Sequence, residues 1–301
     1  MWLSSIEVRG LAAEAGTEWD RLGTLEPAGP VGDALALLVA ALRPSRAVEV
    51  AAMLGWGECT LEDREITIGR PSAVRRVLEV GPRPQVTVEV VVQPDPPMFG
   101  RLRDAVLRDP QLAGGLGQGS LTIRVGWLFT PDLAVASLDL LGVALGDVPV
   151  SLADRPPWVD RVLADIGGRI GFVDWRTPVE AIARSLCDGL LAPDPARREA
   201  VSHALEDVAA PPFSVPLQIV RESRAATVRD SDVQLAVGDS LAPLHWSGRA
   251  AEDAARLVHA VHVEHPDVLV VREPVSTEVH AWLVAQTEGD DATLEQVLVA
   301  P

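Results

Sequence analysis

The apolar positions change their period twice in the first third of the chain. Residues 4–11, SSIEVRGL, alternate polar and apolar side chains, the two-residue period of a half-buried strand. After a polar stretch, AGPVGDALALLVAAL at 28–42 is apolar on nearly every helical face. That predicts a helix starting near Asp33, ending before Pro44 and buried on all sides beneath a sheet. β-Branched residues at strand spacing then predict strands over QVTVEVVVQ (85–93) and SLTIRVGWLF (120–129), with two more inside SLDLLGVALGDVPV (137–150). Between them GGLGQGS (114–120) precedes a strand instead of opening a helix, so it reads as a flexible turn and not as a phosphate loop.

From about 151 to 210 helix signals dominate. Thr177, Pro178 and Glu180 supply a cap, a first-turn proline and a capping box, and Asp194 with Pro195 repeats the start signal. Two strand-like runs follow, SVPLQIVRE (214–222) and AATVRDSDVQLAVGD (225–239). The remainder reads as loop, helix, buried strand, helix and strand. The expected organisation is an N-terminal lobe over 1–150, a helical segment over 151–212 and a C-terminal lobe over 213–301.

Composition narrows the class. With 301 residues, 48% of them hydrophobic, the chain can build one large α/β domain or two smaller ones. No apolar run reaches the ~18 residues of a membrane span, and the first ten residues lack a basic segment followed by an apolar one. Cys59 and Cys187 are too few and too far apart for a disulfide framework, so a reduced, cytoplasmic setting without membrane contact is expected. The formal charge of −17 argues against direct nucleic-acid binding. The chain contains no lysine, so no position can supply the cation of an ordinary phosphate loop. His245, His259, His262 and His265 do not fall at zinc-ligand spacing, and His280 reads as an ordinary helix-start residue. Trp56, Trp127 and Trp158 read as packing residues.

In order, the pieces resemble the ATP-binding-cassette-type heads of the SMC, RecF and OLD-like group of AAA-family ATPases. IEVRGL is similar to their opening strand, GPVGDALALL to a Walker A loop of the form GPNGAGKS, and PLHWSGRAAEDAARLVHAV to the signature loop and its helix. PDVLVVREP is similar to a Walker B strand ending in DEP, and EQVLVAP to the strand before the switch histidine. The resemblance implies a P-loop NTPase-like α/β head with a mixed sheet, an antiparallel β subdomain and a helical insertion. In such a head the strands leading to the two Walker motifs are neighbours in one sheet, and the first loop faces the end of the second strand.

The departures decide the activity that the resemblance implies. Gly29, Pro30 and Gly32 match the loop, but Leu35 stands at the lysine position and Ala36 at the hydroxyl position. Asp33 is expected to cap the helix and to repel an incoming phosphate. In the Walker B segment Arg272 replaces the metal-organising aspartate, while Glu273 and Pro274 remain; Arg272 is expected to pair with Glu273 or another acid. Ser247 and Gly248 match the signature, which also reads as a plain helix start, and no switch histidine follows the last strand.

The expectation is therefore a catalytically inactive, ATPase-like subunit without cofactor or metal. By the resemblance it would serve a protein partner (an intact ATPase, an effector subunit or a second copy) in a bacterial system such as genome maintenance or anti-phage defence. The alternatives are an ATP- and Mg²⁺-using heterodimer to which Ser247 and Gly248 contribute in trans, and an unrelated soluble α/β interaction protein.

Overall fold

The computed structural model describes residues 1–12, 15–19, 30–78, 81, 83–107, 109–153 and 155–173, then 217–219, 227–228, 232–235, 244–247, 249–250, 253, 256–257, 260, 266–272, 275–277, 279–281 and 294–299. The chain divides into two compact units. The first holds Met1–Ile170, Asp267–Glu273 and Glu295–Pro301; the second holds Gly171–Pro266 and Pro274–Leu294.

The first unit is α/β and is built around an antiparallel sheet. Its strands are β1 (Trp2–Arg9), β2 (Ala15–Glu18), β3 (Thr60–Glu62), β4 (Glu65–Thr67), β5 (Gln85–Gln93), β6 (Leu121–Phe129), β7 (Val135–Leu145) and β8 (Val148–Pro149), in the order β2-β1-β5-β6-β7-β4-β3, with β8 on β7. Every neighbouring pair is antiparallel. In β5 the valines at 86, 88, 90 and 92 are buried, and the residues between them face outward, so one side of the sheet is apolar and the other polar.

Helix α1 (Val31–Leu42) lies on the apolar side. It packs against β5, β6 and β7, against α2 (Ala47–Met53) and against α6 (Pro157–Gly168), and it also touches β1 and β14 (Val268–Val271). Every α1 residue except Asp33 is buried, as its unbroken apolar pattern requires. Buried Trp127 donates its indole N–H to the Leu37 carbonyl (2.9 Å), which fixes the helix on the sheet. Arg64 donates to the Ala41 carbonyl at the C-terminal end of α1 (3.0 Å) and to that of Leu138 (2.6 Å). It thereby satisfies one of the carbonyls that a helix end leaves open.

Before α6 the described residues of this unit also form α3 (Pro71–Val77), α4 (Pro96–Val106) and α5 (Pro110–Leu116). The helix α5 includes Gly114 and Gly115, so only the later part of the expected glycine turn, from Gly117 onward, is a turn. Strand β14 pairs in parallel with β15 (Gln296–Val299), and all four β14 residues are buried. Trp56, Trp127 and Trp158 are core residues, the first two in edge contact at 5.4 Å between ring centres.

In the chain between these parts, β9 (Ile170–Phe172) follows α6. The second unit contains a four-stranded sheet of β10 (Leu217–Ile219), β11 (Thr227–Val228), β12 (Asp232–Leu235) and β13 (Leu244–Ser247), in the order β11-β10-β12-β13. The β10–β12 pair is parallel and the others are antiparallel. Thr177, Glu180, Asp194 and the helices expected around them lie outside the described residues. Among the described residues no helix is long and apolar enough to cross a membrane.

Candidate functional site

Strand β14 carries a charged cluster at each end, and the two differ in kind. In open α/β sheets ligands bind beyond the carboxyl ends of parallel strands. At the carboxyl end of β14 stands Arg272, three-quarters buried. One of its terminal nitrogens donates to the Met53 carbonyl (3.0 Å) and the other to the carboxylate of Asp33.

Each contact has a local cause. Met53 is the last residue of α2, where carbonyls lack helical partners and a cation is favoured. Asp33 lies in the first turn of α1, where a negative charge is favoured. One guanidinium thus serves the start of α1 and the end of α2 together.

This geometry corrects the expected role of Asp33. The helix begins at Val31, two residues earlier than expected, with Pro30 in the capping position and no side-chain cap. The first intrahelical bond runs from Ala34 N–H to the Pro30 carbonyl (2.9 Å). Asp33 is therefore the third helical residue, and its carboxylate is bonded to Arg272, not folded back onto the helix amides. Gly32, Leu35 and Ala36 are buried, the last two completely.

Gly29, Glu273 and Pro274 lie outside the described residues. Asp33, in the helical turn that follows the expected loop, meets Arg272 at the end of β14. Among the described residues β1 itself pairs with β2 and β5, in a different sheet from β14. Residues 20–29, which lead into the loop, are not described.

The signature segment also departs from its reading. Leu244–Ser247 is not a loop but strand β13, with Ser247 opposite Asp232 and His245 opposite Gln234. Helix follows at Arg249, and Gly248, His259, His262 and His265 lie outside the described residues. In this unit buried Asp253 accepts from the Ser276 N–H (3.2 Å). His280 is helical, as expected, and donates its backbone N–H to the Ser276 carbonyl.

The amino end of β14 holds a network that the sequence reading missed. The ammonium of Met1 meets Asp267 (2.8 Å), Glu295 (2.7 Å) and Asp95 (3.4 Å). Arg169 pairs with Asp267 (2.9 Å), Asp165 (3.2 Å) and Asp95. Burial disfavours the Met1 ammonium, but its bonds to Asp267 and Glu295 outweigh this and raise its pKa. Burial likewise works against the Asp95 carboxylate, yet the Met98 N–H and Arg169 hold its pKa below the ordinary value.

Beside this network, fully buried Gln296 accepts from the Leu3 N–H (3.2 Å) and donates to the Leu3 carbonyl (3.3 Å). Each charge here has a partner, so this end of β14 reads as an internal fastening. Only a long-range signal could have revealed it, because its members come from five separate segments.

Among the described residues no group of three His, Cys, Asp or Glu side chains could hold a metal ion. Nor do the described residues at the carboxyl end of β14 fit a magnesium nucleotide. A guanidinium cannot ligate a cation, and Leu35 and Ala36 are closed into the core. The sequence matches no known family model and no curated protein.

Proposed function

We propose that this chain is a catalytically inactive, ATPase-like subunit that acts as a structural or regulatory partner of another protein, an intact ATPase or an effector subunit. The observation that carries the proposal is the Asp33–Arg272 ion pair. It joins the first turn of α1, the segment similar to a Walker A loop, to the end of β14, the segment similar to a Walker B strand. Adjacency of these two segments is one of the features that a cassette-type nucleotide fold implies, and it supports the reading. The placement of α1 against the apolar face of an antiparallel sheet supports the same reading.

The chemistry of the corner supports inactivity. Where the family uses a lysine for phosphate and a carboxylate for Mg²⁺, this chain has a buried leucine and an internally bonded arginine. The positive charge that would meet a phosphate is already neutralised by Asp33. A fold that keeps this corner without its chemistry serves through its surface, hence a protein partner.

The test is steady-state ATP hydrolysis by the purified full chain with Mg²⁺, beside a Glu273→Gln variant. No turnover above the buffer rate is expected for either protein. Turnover by the parent chain that Glu273→Gln abolishes overturns the proposal.

A further inference from the structure

The outer face of the eight-stranded sheet holds a groove of about 560 Å³ on the side of the sheet opposite α1. Arg9, Arg83 and Arg124 line it against Glu7 and Glu89. Glu7 and Glu89 are direct cross-strand partners, an arrangement that is unfavourable unless each charge is met. Each is met: Arg9 donates to Glu7 (2.8 Å) and Arg124 to Glu89 (2.6 Å). Arg83, in the turn before β5, is exposed and has no hydrogen bond or ion pair among the described residues. Among the described residues the groove therefore carries one guanidinium without an acidic partner, within a chain of net charge −17.

An apolar flank stands beside that charge. Leu141 is 42% exposed on the groove wall, and Leu128 is 37% exposed. Leu128 shares its face with Arg124 and lies in register with Gln85, a groove residue. Two of the three large apolar side chains exposed among the described residues are thus on this face. Arginine beside exposed apolar surface is the composition of a protein-binding patch, where a free guanidinium favours a carboxylate.

We propose that this groove binds an acidic peptide segment of a protein partner, one carboxylate against Arg83 and an adjacent apolar side chain against Leu141 and Leu128. The overall negative charge disfavours a nucleic acid here, because two of the three arginines are already neutralised and a polyphosphate is repelled at every further position. A short segment is governed by the charge nearest to it, since screening at physiological salt acts over about 8 Å. This groove lies away from the corner at Arg272, and the inference stands independently of the ATPase-like reading.

The test is fluorescence anisotropy of the full chain with a fluorescein-labelled ten-residue peptide that has a Glu-Leu-Glu centre in Gly-Ser flanks. Saturable binding is expected; Arg83→Glu should weaken it about five- to tenfold and Arg83→Lys much less. Leu141→Ser provides a second variant, and circular dichroism checks that each protein is folded. A Gln-Leu-Gln peptide should bind more weakly. The proposal is overturned by absence of saturable binding, by equal affinity of folded Arg83→Glu, or by tighter binding of a Lys-Leu-Lys peptide or a twenty-nucleotide single-stranded DNA. Self-association of the chain that Leu141→Ser abolishes would instead assign the face to a second copy, and likewise overturns it.

Discussion

The guanidinium of Arg272 is bonded to the carboxylate of Asp33, a residue 239 positions earlier in the chain, and to the carbonyl of Met53. The contact pins the exit of a buried strand to the ends of two helices that are consecutive in sequence. The corner is held by the chain's own side chains.

If the pair closes the corner, breaking it costs stability. Arg272→Ala leaves the Met53 carbonyl and the Asp33 carboxylate without their donor, and about 1–3 kcal/mol should be lost in urea unfolding. In a double-mutant cycle with Asp33→Asn and Arg272→Gln, a coupling of about 0.5–2 kcal/mol is expected. Strictly additive losses would show that the two groups do not support each other.

Replacing Leu35 with lysine should not create a phosphate site. The side chain is fully buried, and an ammonium placed there has no partner. Leu35→Lys should cost about 3–5 kcal/mol, enough to unfold a marginal domain, whereas Ala36→Ser should cost about 1 kcal/mol or less. Thermal melts of the two variants make the comparison. A Leu35→Lys protein that melts with the parent would show that the position opens to solvent.

The network at the amino end of β14 makes stability depend on pH in two windows. Asp95 titrates below its ordinary 3.8 in the folded chain, so its contribution is present above that pH and is lost as pH falls through the lowered value. The Met1 ammonium titrates above its ordinary 8.0, so its contribution is complete below pH 8.0 and is lost as pH rises through the raised value. Urea midpoints should therefore be highest between the two windows. In Asp95→Asn the acid-side fall should be shallower, and an unchanged slope would remove Asp95 from the account.

Gln296 makes two bonds to one backbone residue from a fully buried position. Gln296→Leu leaves both Leu3 groups without this partner and should cost about 1–3 kcal/mol, despite its gain in apolarity. Hydrogen exchange at Leu3 reports the same loss locally, and unchanged protection there would show that β1 does not depend on the bond.

In the main sheet β1, β5, β6, β7 and β8 are readable from sequence because their pattern is local, whereas β2, β3 and β4, of three or four residues each, are too short to show one. Alternation in QVTVEVVVQ gives β5 its bounds, and the unbroken apolar run of α1 shows that it is buried on all sides. The start of α1 was misplaced by two residues because Asp33 looks like a cap. Its carboxylate instead finds a cation from the far end of the chain, which no local pattern reveals. Leu244–Ser247 was misread for a related reason: a serine before a helical run signals a cap, but strand pairing with β12 claims it first. At Arg272 the expectation of an acidic partner was correct in kind, and only the fold identifies Asp33 as that partner. Asp95 carries only the local signal of a helix start before Pro96, and Arg169 and Asp267 carry none, so the network is invisible until five segments meet.

The most direct measurement is isothermal titration of the full chain with Mg²⁺–ATP, repeated with Arg272→Ala. With the corner closed by Asp33 and Arg272, no heat of binding is expected for the parent chain at nucleotide concentrations up to the millimolar range. Stoichiometric, micromolar binding by the parent, weakened by Arg272→Ala, would contradict the account, because Arg272 would then be holding phosphate and not Asp33.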